Sequence, residues 1–428
     1  MFKGFGKICE YPQQRKETTM DYPILRMSYE ELVQELLMNA SRTVRRRANR
    51  FLKKYREPMR KLQESSYMQL LKLQTQHGFK PIMSVRNRQD IPAIPYDKVP
   101  REYSRYFHVI LVAALNTVMA AVMGLNAHNT RRLVVAGFCH DLGHSKFGHT
   151  GERMLVKLYP EHKKHEERTI SILRESEMQE LLAAFGLTWR NVASVVDERG
   201  HVGAIQRFTD SAAWTALDVY ISGFYGNRYE GEVFDFLRHA LNKFRGMERG
   251  MLVVSDTAGI QEVVDRRAFL FRDWFRSHLA EQTQWGMIAA MGIIFEKRWV
   301  DPSVLYSHDI HEQDLVHALR TQAHLTPGFE AQWIYDLLAL PIYLKLPEER
   351  WRVVSFTGDG MEAWIAANVS PQMLPYIVRV PKQDGERLIK KFSVLIAGGS
   401  SKPVVVTTDL GILEVAEADD LSFVMVPI

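Results

Sequence analysis

Cysteine is almost missing from this chain. Cys9 and Cys139 are the two it has in 428 residues, too few for a disulfide framework, so a reducing compartment and a cytoplasmic location are expected. The sequence has no CxxC pair, no glycine-rich phosphate loop after a strand and no internal repeat. Those absences exclude zinc ribbons, nucleotide-binding loops of that type and solenoids. The opening MFKGFGKICEYPQQRKE lacks the continuous apolar run of a secretory leader. Long uncharged stretches are scarce too. Val109 to Leu125 (VILVAALNTVMAAVMGL) approaches the length of a membrane span, but Asn116 and Thr117 interrupt it. A buried core helix, and no membrane partner, is the expectation. The charge excess is small, +5 overall, and matters only where it is concentrated.

What remains is the composition of a soluble globular protein, 46% apolar and 25% charged. The length exceeds one ordinary core, so one large domain with appendages, or two to three domains, is expected. Residues 1–100 read as an N-terminal helical arm. In it, Ser28 and Glu31 have capping-box spacing ahead of Leu32, Val33, Leu36 and Leu37. Its segment 42–61 carries ten Lys or Arg against one acid, Glu57. Residues 101–345 read helical almost throughout, with apolar side chains at three- and four-residue steps. Residues 346–428 read as an α+β element, in which KKFSVLIAGGSSKPVVVTT forms two β-branched runs around a turn, with strands expected from about Arg387. The fold class is therefore mainly α with a small C-terminal β-containing element.

Chemistry concentrates in residues 133–155, LVVAGFCHDLGHSKFGHTGERML. An apolar run leads straight into His140-Asp141. Burying two ionisable groups at a helix end is costly unless something pairs with them. A divalent metal compensates, since imidazole and carboxylate are preferred N and O ligands. Adjacent helical positions lie about 100° apart, so one ion beside the helix end accepts both side chains, and His144, one turn on, falls on the same face. The segment HDLGHSKFGHTGE resembles the signature of HD-domain phosphohydrolases, and among them the deoxynucleoside triphosphate triphosphohydrolases. It keeps His140, Asp141, Gly143, Phe147, Gly148, His149 and Glu152. It departs at Ser145-Lys146, where that family commonly has Pro or Gly-Pro.

The resemblance implies an HD-domain helical core over residues 101–345 and says where further ligands lie. The family's upstream His follows an Arg by three residues, as His108 follows Arg105, although Val109 stands where Ser is usual. Its downstream Asp precedes an aromatic by four residues, a second acid by eight and a Gly by thirteen. Asp210 meets Trp214, Asp218 and Gly223 at those distances, whereas Asp218 meets Ser222 and Gly226 at the first two. The implied ligands of one divalent ion (Mn²⁺, Mg²⁺ or Co²⁺/Fe²⁺) are thus His108, His140, Asp141 and Asp210. Arg105 becomes a phosphate contact, His144 and Trp214 pocket residues, and Asp218 the sugar contact; Trp214 replaces the usual Tyr. His165-Glu166 matches a further pair of the family.

On that reading His149, oriented by Glu152, is the general acid–base group. His165 lines the pocket and serves the leaving 5′-oxygen. The implied activity is hydrolysis of deoxynucleoside triphosphates, dGTP foremost, to deoxynucleoside and tripolyphosphate. The alternatives are another HD-type nucleotide phosphohydrolase, phosphodiesterase or nuclease, or a nucleotide-sensing, nucleic-acid-binding regulator. The basic segment, with Arg45, Arg46, Arg47 and Arg50, reads either as a solvated helix face or as a surface for nucleic acid or nucleotide phosphates. The resemblance adds single-stranded DNA as a partner, and a homo-oligomer is expected.

Overall fold

The structure, a computed structural model, describes residues 22–80, 82, 94–159, 161–222, 230–271, 274, 278–357, 360–380, 391–399, 402–407 and 421–428. The expectations at residues 1–21, at Gly223, at Arg387 and at Ser400-Ser401 of the GGSSKP turn lie outside the described residues.

Ser28 opens the first helix as its spacing requires. Its hydroxyl accepts from the Glu31 amide, and the Glu31 carboxylate accepts from the Ser28 amide at 2.7 Å, closing a capping box before α1 (Tyr29–Leu36). The basic segment forms α2 (Arg42–Glu64), and α3 (Ser66–Lys72) follows. One stripe of α2 buries Ala48, Phe51, Leu52, Tyr55, Met59 and Leu62, while Arg45, Arg46 and Arg50 face solvent. Arg47 braces the fold instead. Its Nη1 donates at 3.1 Å to the Ala121 carbonyl, in the last turn of α4 (Arg105–Met123).

The uncharged run is a core helix, as expected. Within α4 every side chain from Val109 to Ala121 is buried. Its polar interruptions fasten it to its neighbours. Asn116 Nδ2 donates to the Leu133 carbonyl at 2.9 Å, on α5 (Ala127–Cys139), and to Gln206 Oε1 at 2.6 Å. Asn116 Oδ1 accepts from Thr209 Oγ1 at 2.6 Å. Thr117 returns its proton to the Ala113 carbonyl at 2.9 Å. A buried amide satisfied on both sides fixes register rather than opposing burial.

The expected helices after the histidine motif are α6 (Gly148–Leu158), α7 (His165–Leu173) and α8 (Ser176–Ala183). Next come α9 (Trp189–Val196), α10 (Gly200–Ile221) and α11 (Glu230–Leu241). The expectation of helix almost throughout 101–345 fails at one place, a hairpin of β1 (Phe244–Glu248) and β2 (Met251–Val254). Arg249 and Gly250, both at positive φ, turn it, which is the backbone that tight hairpins demand. Helices α12 (Ala258–Leu270), α13 (His278–Glu296), α14 (Glu312–Leu325) and α15 (Phe329–Tyr343) complete the helical body.

The tail supplies β3 (Trp351–Thr357), α16 (Gly360–Asn368), β4 (Val378–Val380), β5 (Phe392–Ile396), β6 (Val404–Val406) and β7 (Leu421–Pro427). They enter two sheets. One has the order β3-β7-β4 and is antiparallel; the other has the order β1-β2-β5-β6, with β5 parallel to β2. Two large buried clusters, and a small one of Ile365, Ile377 and Val424, lie among the described residues. Leu133–Cys139 and Leu142 belong to the one around α4 and α10, whereas Phe147, Met154 and Leu155 belong to the one around α13, α14 and α15. The histidine motif therefore spans both cores.

Candidate active site

Helix α5 ends at Cys139, with His140 as its C-cap, so His144 is not on that helix as its spacing suggested; it stands after a turn. His140 Nδ1 lies 3.0 Å from the Gly137 carbonyl. That bond places the ring proton on Nδ1 and leaves the Nε2 lone pair facing inward. Inward, His140 Nε2 meets His108 Nε2 at 3.3 Å and Asp210 Oδ1 at 3.4 Å, and His108 Nε2 is 3.0 Å from the same oxygen. Ligand atoms at ordinary metal–N and metal–O bond lengths are separated by about 3.0–3.4 Å, so these three atoms have the spacing of a cation's coordination edges. Asp141 Oδ1 stands 3.6 Å from His140 Nε2. Three side chains, from α4, α5's end and α10, are thus grouped so that they could hold a divalent ion, with Asp141 beside them. Burial opposes a proton on His140, yet the Asp141 and Asp210 carboxylates raise its pKa to about 9.

Asp141 also joins this group to a second one. Its Oδ2 accepts from Arg105 Nη1 at 2.7 Å, and its Oδ1 is 3.5 Å from His144 Nε2. Burial works against its charge, but His140, His144 and Arg105 hold the carboxyl well below the usual range. Gly148, at φ +52°, makes room for that arrangement, because a Cβ there would stand 2.5 Å from Arg105 Nη2.

The second group is His144, His149, Glu152 and His165, whose ligand atoms all lie within 4.8 Å of one another. The His144 and His165 rings stack at 3.8 Å and 15°. Glu152 Oε2 is shared between His149 Nδ1 at 3.2 Å and His165 Nδ1 at 3.1 Å, and its Oε1 accepts from the His165 amide at 3.0 Å. Burial opposes its charge, while those two imidazoles hold the Glu152 carboxyl far below its ordinary range. His149 is the open member, its side chain 65% exposed. Glu152 thus orients both histidines.

Lys146, where the family commonly has Pro, is fully buried. Its Nζ donates to the Val304 carbonyl at 3.1 Å and to the Ser307 carbonyl at 2.5 Å, at the end of the 3₁₀ turn Pro302–Tyr306. The departure from the family pattern replaces a rigid loop residue by a cation that caps a helical end. Burial lowers its pKa to about 8, with Glu312 and Asp309 pulling the other way.

The histidines and aspartates of the two groups, with Arg105, line a cavity of about 720 Å³ that also takes in Lys80, Arg153, Trp214, Arg267 and Phe271. Trp214 and Phe271 stack at 5.5 Å, and the Arg267 guanidinium lies 4.3 Å from the Trp214 ring centroid. Burial brings the Arg267 pKa down to about 10, against the pull of Asp210 and Asp218. Asp218 does not reach the cavity. It is fully buried, accepts a short hydrogen bond from the Tyr103 hydroxyl, and sits 2.6 Å from His77 Nε2, which does line the cavity. His77, Lys80 and Arg267 escaped sequence reasoning because none lies near the histidine motif in sequence: His77 and Lys80 come from the irregular segment after α3, and Arg267 from α12. An arginine and aromatics one turn apart on RRAFLF were the available signal. Arg45, Arg46 and Arg50 on α2 are not among the cavity's lining residues.

The family model of the HD domain matches residues 105–202, from the start of α4 into α10. This chain carries an HD domain. The segment is similar to curated proteins named deoxyguanosinetriphosphate triphosphohydrolase-like protein. The one from Neorickettsia sennetsu is 30% identical over 102 residues, covering 23% of this chain and 26% of that protein. The one from Geobacter metallireducens is 31% identical over 112 residues, covering 24% and 28%. The one from Bradyrhizobium sp. (strain ORS 278) is 32% identical over 100 residues, covering 23% and 25%. The chain thus spans about a quarter of the length of these relatives. Two solved structures share the fold over far more of it. A phosphohydrolase from Bacteroides thetaiotaomicron superposes with a TM-score of 0.60 at 11% identity, covering 86% of this chain and 95% of that one. A hypothetical protein from Aquifex aeolicus does so with a TM-score of 0.50 at 15% identity, covering 86% and 92%.

Proposed function

We propose that the protein hydrolyses deoxynucleoside triphosphates, dGTP foremost, to deoxynucleoside and tripolyphosphate in a metal-dependent reaction. One observation carries the reading: the inward-facing atoms of His108, His140 and Asp210 converge beside Asp141, in a cavity that also presents Lys80, Arg105, Arg153 and Arg267. Names of the relatives point the same way. His108, His140, Asp141 and Asp210 would hold a divalent ion, which would supply Lewis-acid polarisation of the α-phosphate.

The chain's own residues do the rest. Arg105, fixed by Asp141, presents its remaining N–H groups to phosphate oxygens, and the other three cations offset the charge of the polyphosphate. Trp214 and Phe271, with Arg267 across their faces, offer a flat wall to the sugar and base. Asp218 works from beneath, by holding His77 and Tyr103 against that wall. In the reaction the water oxygen bonds to the α-phosphorus, and the bond from phosphorus to the 5′-oxygen breaks with its electron pair on oxygen. His149, oriented by Glu152, takes the water's proton, and His165 is placed to hand one to the leaving oxygen.

The test is incubation with each deoxynucleoside triphosphate and Mn²⁺ or Mg²⁺, with anion-exchange separation of the phosphate products. Tripolyphosphate and deoxynucleoside in equal amounts, lost on chelation, are expected. Release of pyrophosphate or orthophosphate would instead mark another HD-type nucleotide hydrolase, and full turnover after exhaustive chelation would remove the metal from the account.

A further inference from the structure

A second cavity, of about 510 Å³, lies on the other side of α7 and is lined by residues from α6, α7 and the Pro302–Tyr306 turn. Arg168 is immobilised in its wall. The guanidinium carbon lies 3.8 Å from the Tyr306 ring centroid, and Nε donates at 3.1 Å to the Gly143 carbonyl. Its two terminal nitrogens have no hydrogen-bond partner among the described residues, and the residue lines the cavity. The Tyr306 hydroxyl is fixed in turn, 2.9 Å from His162 Nε2. Lys163 adds a second cation at the mouth. The two carboxylates there are Glu161 and Glu175, and the latter already accepts from the Tyr67 hydroxyl at 2.6 Å. A planar fork held at Nε and across its face, with free terminal donors, is preorganised for a tetrahedral oxyanion.

Both walls are tied to the loop between Asp141 and His149. From α7, Thr169 Oγ1 accepts from the Gly143 amide at 2.9 Å and donates to the His140 carbonyl at 3.2 Å. Gly143 packs so closely on that helix that a Cβ would stand 2.0 Å from the His165 carbonyl oxygen. From the other wall, the Leu305 carbonyl accepts from the Lys146 amide at 2.9 Å, and the Val304 and Ser307 carbonyls accept from Lys146 Nζ.

We propose that this second cavity binds a phosphate group through Arg168 and Lys163. Three sources share that chemistry: free orthophosphate, tripolyphosphate and a nucleoside monophosphate. Isothermal titration of the intact chain with each identifies the source as the tightest binder, and Lys163→Gln, Arg168→Lys and Arg105→Lys separate the two cavities, with circular dichroism confirming that each variant is folded. The expected result is a binding event weakened about tenfold or more by Lys163→Gln and by Arg168→Lys, and retained in Arg105→Lys. Binding that disappears in Arg105→Lys and is unchanged in the other two would place the anion in the main cavity alone and overturn the proposal. So would the absence of binding by all three ligands to the wild-type chain. Because dNTP turnover is measured separately, neither negative result bears on the proposed hydrolysis.

Discussion

At the scale of single residues the two aspartates of α10 divide the labour. Asp210 Oδ1 faces His108 and His140, while Asp218 is sealed beneath the cavity with Tyr103 and His77. Asp210→Ala removes a ligand, so bound metal and turnover should both fall to near zero at any substrate concentration. Asp218→Asn should retain the ion. It should lose about 1–3 kcal/mol of stability through the broken buried hydrogen bonds, and lower kcat/KM because His77 is no longer held. Elemental analysis and urea melts of both folded variants check this. An Asp218→Asn protein without metal beside an Asp210→Ala protein with it would exchange the roles. The resemblance's spacing chose Asp210, for which three distances agreed, and it is Asp210 whose oxygen meets His108 and His140. The burial of Asp218 was not legible, because it depends on Tyr103 and His77 arriving from another part of the chain.

At the scale of elements, local patterns were legible and distant pairings were not. The Ser28–Glu31 box, the uncharged α4 and the helix leading into His140 are all encoded within a few turns. The β1–β2 hairpin went unread because its strands are short and its parallel neighbour β5 comes from the far end of the chain. Lys146, which broke the family pattern, makes sense only beside the turn it caps. Its pKa falls from an ordinary 10.5 to about 8 in the fold. Between those values the unfolded chain holds a proton the folded chain has lost, so this residue makes stability rise with pH across about 8 to 10.5, with no contribution to the slope outside that window. Urea unfolding of wild type and Lys146→Met should show the excess positive slope only in the wild type; parallel pH profiles would refute it.

The basic helix α2 splits the same way. Arg47 is committed to the Ala121 carbonyl, so Arg47→Gln should cost about 0.5–1.5 kcal/mol, and thermal melting measures it. Arg45, Arg46 and Arg50 are exposed, and exchanging all three for Gln should leave stability and dNTP turnover unchanged. If this face binds nucleic acid, as its composition suggests, that triple variant should weaken binding to single-stranded DNA and flatten its salt dependence. Identical salt slopes for variant and wild type would return the face to solvent.

At the scale of the molecule, the histidine motif lies where two cores meet. Residues up to Leu142 are packed into the α4–α10 core, and Phe147, Met154 and Leu155 into the α13–α15 core. The intervening loop carries His144 to Asp141 and leads into α6, whose His149 and Glu152 meet His165 of α7. That placement converts one stretch of sequence into both halves of a site, and it explains why the motif was so readable while the opposite wall was not. Arg267 and Phe271 reach the cavity through the packing of α12 on α10, and Lys80 reaches it from the segment after α3.

The central claim is that the bond broken lies between the α-phosphorus and the 5′-oxygen. Turnover of dGTP in ¹⁸O-labelled water with Mg²⁺, followed by mass spectrometry of both products, tests it directly. The account requires one ¹⁸O in tripolyphosphate and none in deoxyguanosine. Label in the nucleoside 5′-hydroxyl, or label in pyrophosphate or orthophosphate with no tripolyphosphate formed, would contradict it.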